Sequence, residues 1–224
     1  MKKMFFYVLA IMPIVLHAQN CGQYFFLQAK KTVEMAVSDK KGKPNGKQVY
    51  KVQEVSGSGS SLVGSVVAEL YTEKGKLQAT NEMQVKCMAG VLTMDMRIFI
   101  PEEQAKQFQA GTASANQMSL EYLSDMRVGD KLKDGNIVVN IDNNGLKQKL
   151  TVLVSERIVE AAEKVTTPAG TWDTFKIHYK TAITIETLNI PVKINFEGVE
   201  WFAPHFGTVK TLSKYGATEV VSVK

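Results

Sequence analysis

The sequence has 224 residues, of which 45% are hydrophobic and 22% charged, with a formal net charge of +5. Its lysines are scattered through turns and strand faces rather than gathered in a run, so the charge favours solubility and argues against a nucleic-acid partner. No segment has the composition of an interdomain linker, and the length suits one all-β domain or at most two small ones.

The first residues have the pattern of a cleavable signal peptide. Lys2 and Lys3 form a positive start, Met4–Leu16 is an apolar run, and Ala18 is the expected last residue before cleavage. A membrane anchor needs about 20 apolar residues, and this stretch turns polar at His17, so a retained anchor is disfavoured. We expect a signal peptide at 1–18, a single β-rich domain at 19–224, and export to the periplasm or the cell surface.

The two cysteines, Cys21 and Cys87, have two readings in an exported chain. In an oxidising compartment they can form a disulfide that ties the new N-terminus to the sheet, or they can stay separate thiols. Lipidation of Cys21 is disfavoured, because the bulky polar residues Gln19 and Asn20 precede it where a small residue is needed.

From Lys31 onward the chain reads as short β-rich runs separated by Gly, Asn, Asp and Pro. Apolar Val33, Met35 and Val37 alternate with other side chains, as in a half-buried strand. The pair Asn45-Gly46 suits a tight turn, and Gly57–Ser60 suits a hairpin loop. Further strands are predicted at Gln48–Val55, Leu62–Thr72, Leu77–Cys87, Val91–Ile100, Asn136–Ile141, Leu146–Val159, Glu163–Thr166, Thr174–Leu188, Val192–Phe202, Thr208–Tyr215 and Thr218–Val223.

One helix of about ten residues is predicted between Pro101 and Gly111, with acids in its first turn and a glycine to stop it. The following Thr112–Asp125 is predicted as a loop that packs on the domain. So many strands without helices between them indicate an all-β, mainly antiparallel fold: a sandwich or half-barrel-like sheet with one short helix.

No catalytic apparatus is recognisable. His178 lies on the polar side of a predicted strand and His205 in a predicted turn, and no hydrolase, metalloprotease or nucleotide-binding motif is present. Gly57–Ser60 lacks the lysine of a phosphate-binding loop, and Asp142–Gly145 lacks the spaced carboxylates of a calcium loop. We therefore predict no enzyme activity, no catalytic residues, no cofactor and no metal site.

Methionine is abundant, and its flexible side chain suits surfaces that adapt to apolar ligands. Core filling is the favoured explanation; the alternative is a partly open sheet whose concave side accepts a lipid. After cleavage the chain keeps Met35, Met83, Met88, Met94, Met96, Met118 and Met126.

Two segments, Val165–Ile177 and Glu200–Lys210, together resemble signatures of the TapB-like group of exported bacterial proteins, a group of unknown function. Cys21–Phe25 and Val128–Leu132 resemble that group's opening and middle. The resemblance implies an antiparallel β fold in the cell envelope and no established activity; Phe206 departs from it, since a smaller aliphatic residue is expected there. We interpret the motif residues as structural, since they form turns or supply aromatic side chains that pack on the sheet. They are Pro168, Gly170, Trp172, Phe175, Trp201, Pro204 and Gly207.

Two non-catalytic functions stay open, and a hydrolase with an unfamiliar site would need clustered carboxylates or His178 in a cleft. The first is a non-catalytic envelope protein that binds an apolar or lipid-like ligand on a curved sheet, through residues that the sequence does not identify. The alternative is a structural or protein-interaction module that acts through a sheet edge. An apolar pocket of several hundred Å³ would favour the first, whereas a filled interior would favour the second.

Overall fold

The computed structural model describes residues 21–96, 119–143 and 146–224. Within these residues the chain is almost entirely β-sheet, with two 3₁₀ turns at Cys21–Gln23 and Phe25–Leu27. The strands are β1 (Thr32–Asp39), β2 (Pro44–Ser58), β3 (Ser61–Thr72), β4 (Leu77–Met88), β5 (Val91–Asp95), β6 (Ser119–Leu123), β7 (Lys131–Leu132), β8 (Gly135–Asn143), β9 (Leu146–Thr167), β10 (Gly170–Thr187), β11 (Ile190–Ala203), β12 (Gly207–Ser213) and β13 (Gly216–Val223).

All of these strands belong to one antiparallel sheet with the order β6-β5-β4-β3-β2-β1-β13-β12-β11-β10-β9-β7, and β8 also pairs with β9. The two ends of this order lie against each other, because a Cβ added to Gly135 would come within 2.6 Å of the Leu120 side chain. We call the junction between β6 and the β7–β8 region the seam; no ladder crosses it among the described strands. The sheet is therefore a nearly closed barrel.

Period-two burial builds the interior. In β4, Met83, Val85 and Cys87 are buried, while the residues between them are exposed. The inward-facing apolar side chains from strands all around the sheet form one continuous core. The predicted all-β antiparallel class is confirmed, and of the two predicted architectures it is the barrel-like one.

Some predicted boundaries are wrong. Leu146–Thr167 is one strand rather than two, because β10 pairs along its length and holds the weak β-formers near Ala161 in the ladder. Ser119–Leu123, predicted as loop, is a strand paired with β5, and the short strand Lys131–Leu132 is new. The predicted helix at Pro101–Gly111 lies outside the described residues.

The N-terminal segment, Cys21–Leu27, packs against the sheet from inside. Phe26 is buried, and its carbonyl oxygen occupies the space beside Gly64, where a Cβ would approach it to 2.5 Å. The Phe26 ring lies against Gly207. Cys21 is bonded to Cys87 with Cα atoms 5.6 Å apart, so β4 holds this segment covalently.

Candidate functional site

A bulge in β9 turns a charged side chain into the barrel. Leu150, Val152 and Val154 point inward on alternate residues, which would place residue 156 inside as well. Glu156 instead has a positive φ of 51°, and both it and Arg157 lie opposite Tyr179 of β10. The extra residue shifts the alternation by one position. Glu156 is therefore exposed, and Arg157 is buried.

Arg157 ties the seam together. Its Nη1 donates to the Glu121 carbonyl of β6 at 3.0 Å and to the Lys133 carbonyl beyond β7 at 3.1 Å. Outside this contact, the Lys133 ammonium and Glu121 carboxylate form an ion pair at 2.9 Å. One buried guanidinium thus bonds to both borders of the sheet, where backbone pairing is absent among the described strands.

The same guanidinium has a buried counter-ion. Arg157 Nη2 lies 3.5 Å from Glu200 Oε1, and the guanidinium carbon lies 4.6 Å from the centroid of the Tyr122 ring. Glu200 also accepts hydrogen bonds from the Tyr122 hydroxyl at 3.0 Å and the Thr208 hydroxyl at 3.0 Å. Tyr122 stacks on Phe202 with ring centroids 4.3 Å apart. This arrangement fixes the carboxylate in place inside the sheet.

Tyr179 completes the polar group. Its ring lies flat on Gly198, the opposite residue in β11, where a Cβ would come within 2.5 Å of the ring. Burial raises the pKa of Tyr179, and the negative charge of Glu200 adds to this rise. No hydrogen bond joins the Tyr179 hydroxyl to any side chain or backbone group in the described part of the chain. Burial likewise raises the pKa of Tyr122, with Glu200 the second cause.

These side chains border a cavity of about 210 Å³ inside the barrel, which we call the interior cavity. Its wall has an apolar part and a polar part. Two hydroxyl contacts also lie on it: Tyr50 donates to Gln48 Oε1, and Thr211 bonds Thr218. The lining residues are Phe26, Met35, Gln48, Tyr50, Met94, Leu120, Tyr122, Tyr179, Glu200, Thr208, Thr211 and Thr218.

Chemically, the interior cavity offers an apolar wall together with hydrogen-bond acceptors and donors. Glu200 and Arg157 neutralise each other, so the polar end has hydrogen-bonding capacity without net charge from these two groups. Neither described histidine lines it. His178 is on the outer face, with Nε2 3.6 Å from Glu197, and His205 is in an exposed turn with its ring 5.6 Å from Tyr24.

The motif residues lie near the end of the strands at which β9 turns into β10 and β11 turns into β12, and none of them is among the residues that line the interior cavity. Pro168 is in the two-residue turn that joins β9 to Gly170 at the start of β10, and the Trp172 indole donates to Thr167 at 3.1 Å. Trp172 also packs on Phe206 at 4.4 Å, so the larger residue at 206 fills this aromatic cluster.

Other motif residues lie in or beside a second groove. Trp201 donates to Glu163, whereas Phe175 and Pro204 lie with Glu163 along a groove of about 320 Å³. Gly207 begins β12 with a φ of 129°, a backbone conformation that favours glycine. These residues shape turns and packing at one end of the strands.

The methionines divide between the core and the interior cavity. Met35 and Met94 line the cavity. Met83, Met96 and Met126 are buried in the core, whereas Met88 is 66% exposed at a turn; Met118 lies outside the described residues. Two of the seven therefore stand where an adaptable apolar wall would contact a ligand.

Sequence reasoning missed the polar cluster of Arg157, Glu200, Tyr122 and Tyr179. One signal was available: Glu200 has the same parity in its strand as Phe202 and Gly198, so a buried Phe202 implies a buried carboxylate. No comparable signal existed for Arg157, because its inward position depends on the bulge at Glu156.

Across 21–96, 119–143 and 146–224, no three His, Cys, Asp or Glu side chains are grouped to hold a metal ion. No helix in these ranges is long and apolar enough to cross a membrane.

Comparison with known proteins gives relatives of the fold and a family. A protein of Bacteroides fragilis NCTC 9343, named as an exported protein with a YmcC-like fold, matches with a TM-score of 0.71 and 20% identity over 90% of this chain and 98% of that one. A protein of Parabacteroides distasonis ATCC 8503, named as a lipoprotein, matches with a TM-score of 0.72 and 18% identity over 90% and 99%. No curated protein matches the sequence. The DUF3108-like family model matches residues 28–222, nearly the whole described chain, and the protein belongs to the DUF3108-like family.

Proposed function

We propose that this protein is an exported, non-catalytic binding protein of the cell envelope, and that it holds a small lipid-like ligand in the interior cavity. The observation that carries the proposal is the combination of a space of about 210 Å³ with a wall that contains both apolar and polar side chains. Ligand sites typically have this composition, with a few placed polar groups on an apolar surface.

The size of the cavity limits the ligand. An engineered apolar cavity of about 150 Å³ binds benzene, and drug-sized ligands occupy about 300–1,000 Å³. A cavity of about 210 Å³ therefore suits a ligand somewhat larger than benzene, or a single short chain of a larger amphiphile. Met35 and Met94 on its wall can adjust to chains of different shape.

The cellular location rests on three supports. The first 18 residues have the signal-peptide pattern, and the disulfide between Cys21 and Cys87 suits an oxidising compartment. Two proteins of the same fold are named as an exported protein and a lipoprotein. Because the sulfur of Cys21 is bonded to Cys87, that residue has no thiol for a lipid, and we propose soluble export. The TapB-like grouping within the family is likewise a proposal.

A protein-interaction role is the second candidate. It is favoured by exposed apolar side chains at the β10–β11 hairpin, where Leu188 is 68% and Ile190 69% exposed. Among the described strands, β12 pairs only with residues 198–203 of β11, and pairing of a partner strand along residues 190–197 is less favourable. Lys214 donates to the Asn195 carbonyl at 2.8 Å, and strand alternation directs the backbone of Pro191, which has no N–H, to the same side. Chemical crosslinking at this hairpin in cells would detect such a partner.

The test of the binding proposal fills the cavity. Thr218→Phe places a ring on the half-buried cavity wall, and Thr166→Phe places the same ring at an exposed strand position as the matched control. We expect native mass spectrometry and calorimetry to show binding of 1-octanol or toluene by the natural chain and the control, and a loss of at least tenfold in affinity in Thr218→Phe. If neither probe binds the natural chain, or if both variants bind equally, the proposal fails.

A further inference from the structure

The polar end of the interior cavity has unused hydrogen-bonding capacity. Tyr179 lines the cavity, its residue is 94% buried, and no described group bonds its hydroxyl. A tyrosine hydroxyl can both donate and accept, so one without a protein partner can bond a ligand beside it. Tyr179 has little room to move, since its ring lies on Gly198. Its hydroxyl is therefore available to a ligand in the cavity.

Glu200 supplies an acceptor at the same end. Its two oxygens offer about four lone-pair positions, and the described donors to them are the Tyr122 hydroxyl, the Thr208 hydroxyl and the distant Arg157 Nη2 at 3.5 Å. Tyr179 pairs with Gly198 of β11, and Glu200 follows two positions later on the same inward face, so the two side chains are neighbours. A donor and an acceptor therefore stand together on the cavity wall.

The charge at this end restricts the ligand further. Arg157 already balances Glu200, so a cationic head group would bring an uncompensated positive charge into a buried space. An anionic head group would meet the Glu200 carboxylate and two tyrosine rings. A neutral hydroxyl avoids both costs, since it donates to Glu200 and accepts from Tyr179 with the same oxygen.

We propose that Tyr179 and Glu200 are specificity residues that select a neutral alcohol as the polar end of the ligand. The inference rests on the proposed function, because it concerns the same cavity. The ligand class is an amphiphile with one short apolar body and a terminal hydroxyl. The alcohol oxygen takes the hydrogen bond that the Tyr179 hydroxyl lacks within the described chain.

The experiment compares four probes of equal chain length, 1-octanol, octylamine, octanoate and octane, by calorimetry with the full exported chain. We expect 1-octanol to bind at least tenfold more tightly than the amine and the carboxylate. Tyr179→Phe should weaken 1-octanol roughly tenfold and leave octane unchanged, because it removes one hydrogen bond and keeps the ring. Its melting temperature should not fall, since that hydroxyl bonds nothing in the described protein.

Tyr71→Phe is the matched control. Its hydroxyl is bonded to Glu69 and the residue is not part of the cavity lining, so this variant should keep its affinity for 1-octanol. If no probe binds, the proposed function itself fails. If octylamine or octanoate equals 1-octanol, or if Tyr179→Phe binds 1-octanol unchanged, the cavity binds ligands but the head-group inference is wrong.

Discussion

Replacing Arg157 with methionine tests the importance of the buried ion pair. The substitution keeps a flexible side chain of similar length, but it leaves the buried Glu200 carboxylate without its cation and removes both hydrogen bonds from Nη1 to the seam. Removing one partner of a buried pair costs about 3–5 kcal/mol. We expect Arg157→Met to lower the free energy of unfolding by about 4 kcal/mol, measured by guanidinium denaturation followed by circular dichroism.

A double-mutant cycle separates the pair from the seam contacts. Glu200→Gln removes the charge and, with its amide oxygen in the place of Oε2, keeps one acceptor for both the Tyr122 and the Thr208 hydroxyls. In the double variant no carboxylate is stranded, so the loss should be smaller than the sum of the single losses. At 3.5 Å and an effective dielectric constant of about 20, the Coulomb attraction is about 5 kcal/mol before desolvation. A coupling of about 2 kcal/mol is therefore expected.

An exposed pair provides the control. Lys164 and Asp173 approach more closely, at 2.6 Å, but their side chains are 71% and 83% exposed. Solvent screening should reduce the coupling in Lys164→Met with Asp173→Asn to below about 0.5 kcal/mol, despite the shorter distance. A coupling at Arg157 and Glu200 as small as the coupling of this surface pair would refute the argument from burial.

Three further predictions concern stability. Replacing Cys21 and Cys87 with serine should lower the free energy of unfolding by about 4 kcal/mol, because the disulfide closes a loop over a separation of 66 residues. Adding a reductant to the natural chain should lower the free energy of unfolding by the same amount. A loss below about 1 kcal/mol would contradict this prediction. Burial raises the pKa of Tyr50 to about 12 and raises that of Tyr122. The stability that these two neutral tyrosines contribute should be fully present below pH 10. Above pH 10 the unfolded chain ionises first, and the free energy of unfolding should fall by about 1.4 kcal/mol per pH unit for each tyrosine. Alkaline denaturation of Tyr122→Phe should show the shallower slope; an equal slope would count against that assignment. Gly64→Ala should displace the N-terminal segment and cost about 1–3 kcal/mol in thermal unfolding, and an unchanged melting temperature would show that the segment yields without cost.

The alternation of apolar and polar residues predicted the sheet, because the face that a strand residue occupies depends on its position relative to its neighbours in sequence. Met83, Val85 and Cys87 could be assigned to one face from sequence alone, and the structure buries all three. The turn residues Gly57–Ser60 likewise mark a hairpin whose residues are adjacent in the chain. Strand ends were less predictable, since Ala161 is held in β9 by its partner strand rather than by its own preference.

The polar cluster could not be predicted in the same way. Tyr122 and Glu200 are 78 residues apart and meet because β6 and β11 face each other across the barrel. Arg157 is inside only because Glu156 adopts a positive φ that short-range pattern does not reveal. The polar cluster in the interior therefore depends on the bulge at Glu156 and on the closure of the barrel. A pattern of buried and exposed residues with a period of two shows neither of them.

The pairing of β1 with β13 has a consequence for how the chain acquires its fold. Almost every other ladder joins strands that follow closely in sequence, so each half of the sheet can form from local hairpins. The Val33–Val223 neighbourhood instead joins residues near opposite ends of the described chain. Loop-closure entropy makes such remote contacts slow to form. Each half of the sheet can therefore form while the chain is still being synthesised. The two halves can pair only after Gly216–Val223 has been synthesised. We expect this last pairing to be the folding step most prone to misfolding and most helped by chaperones.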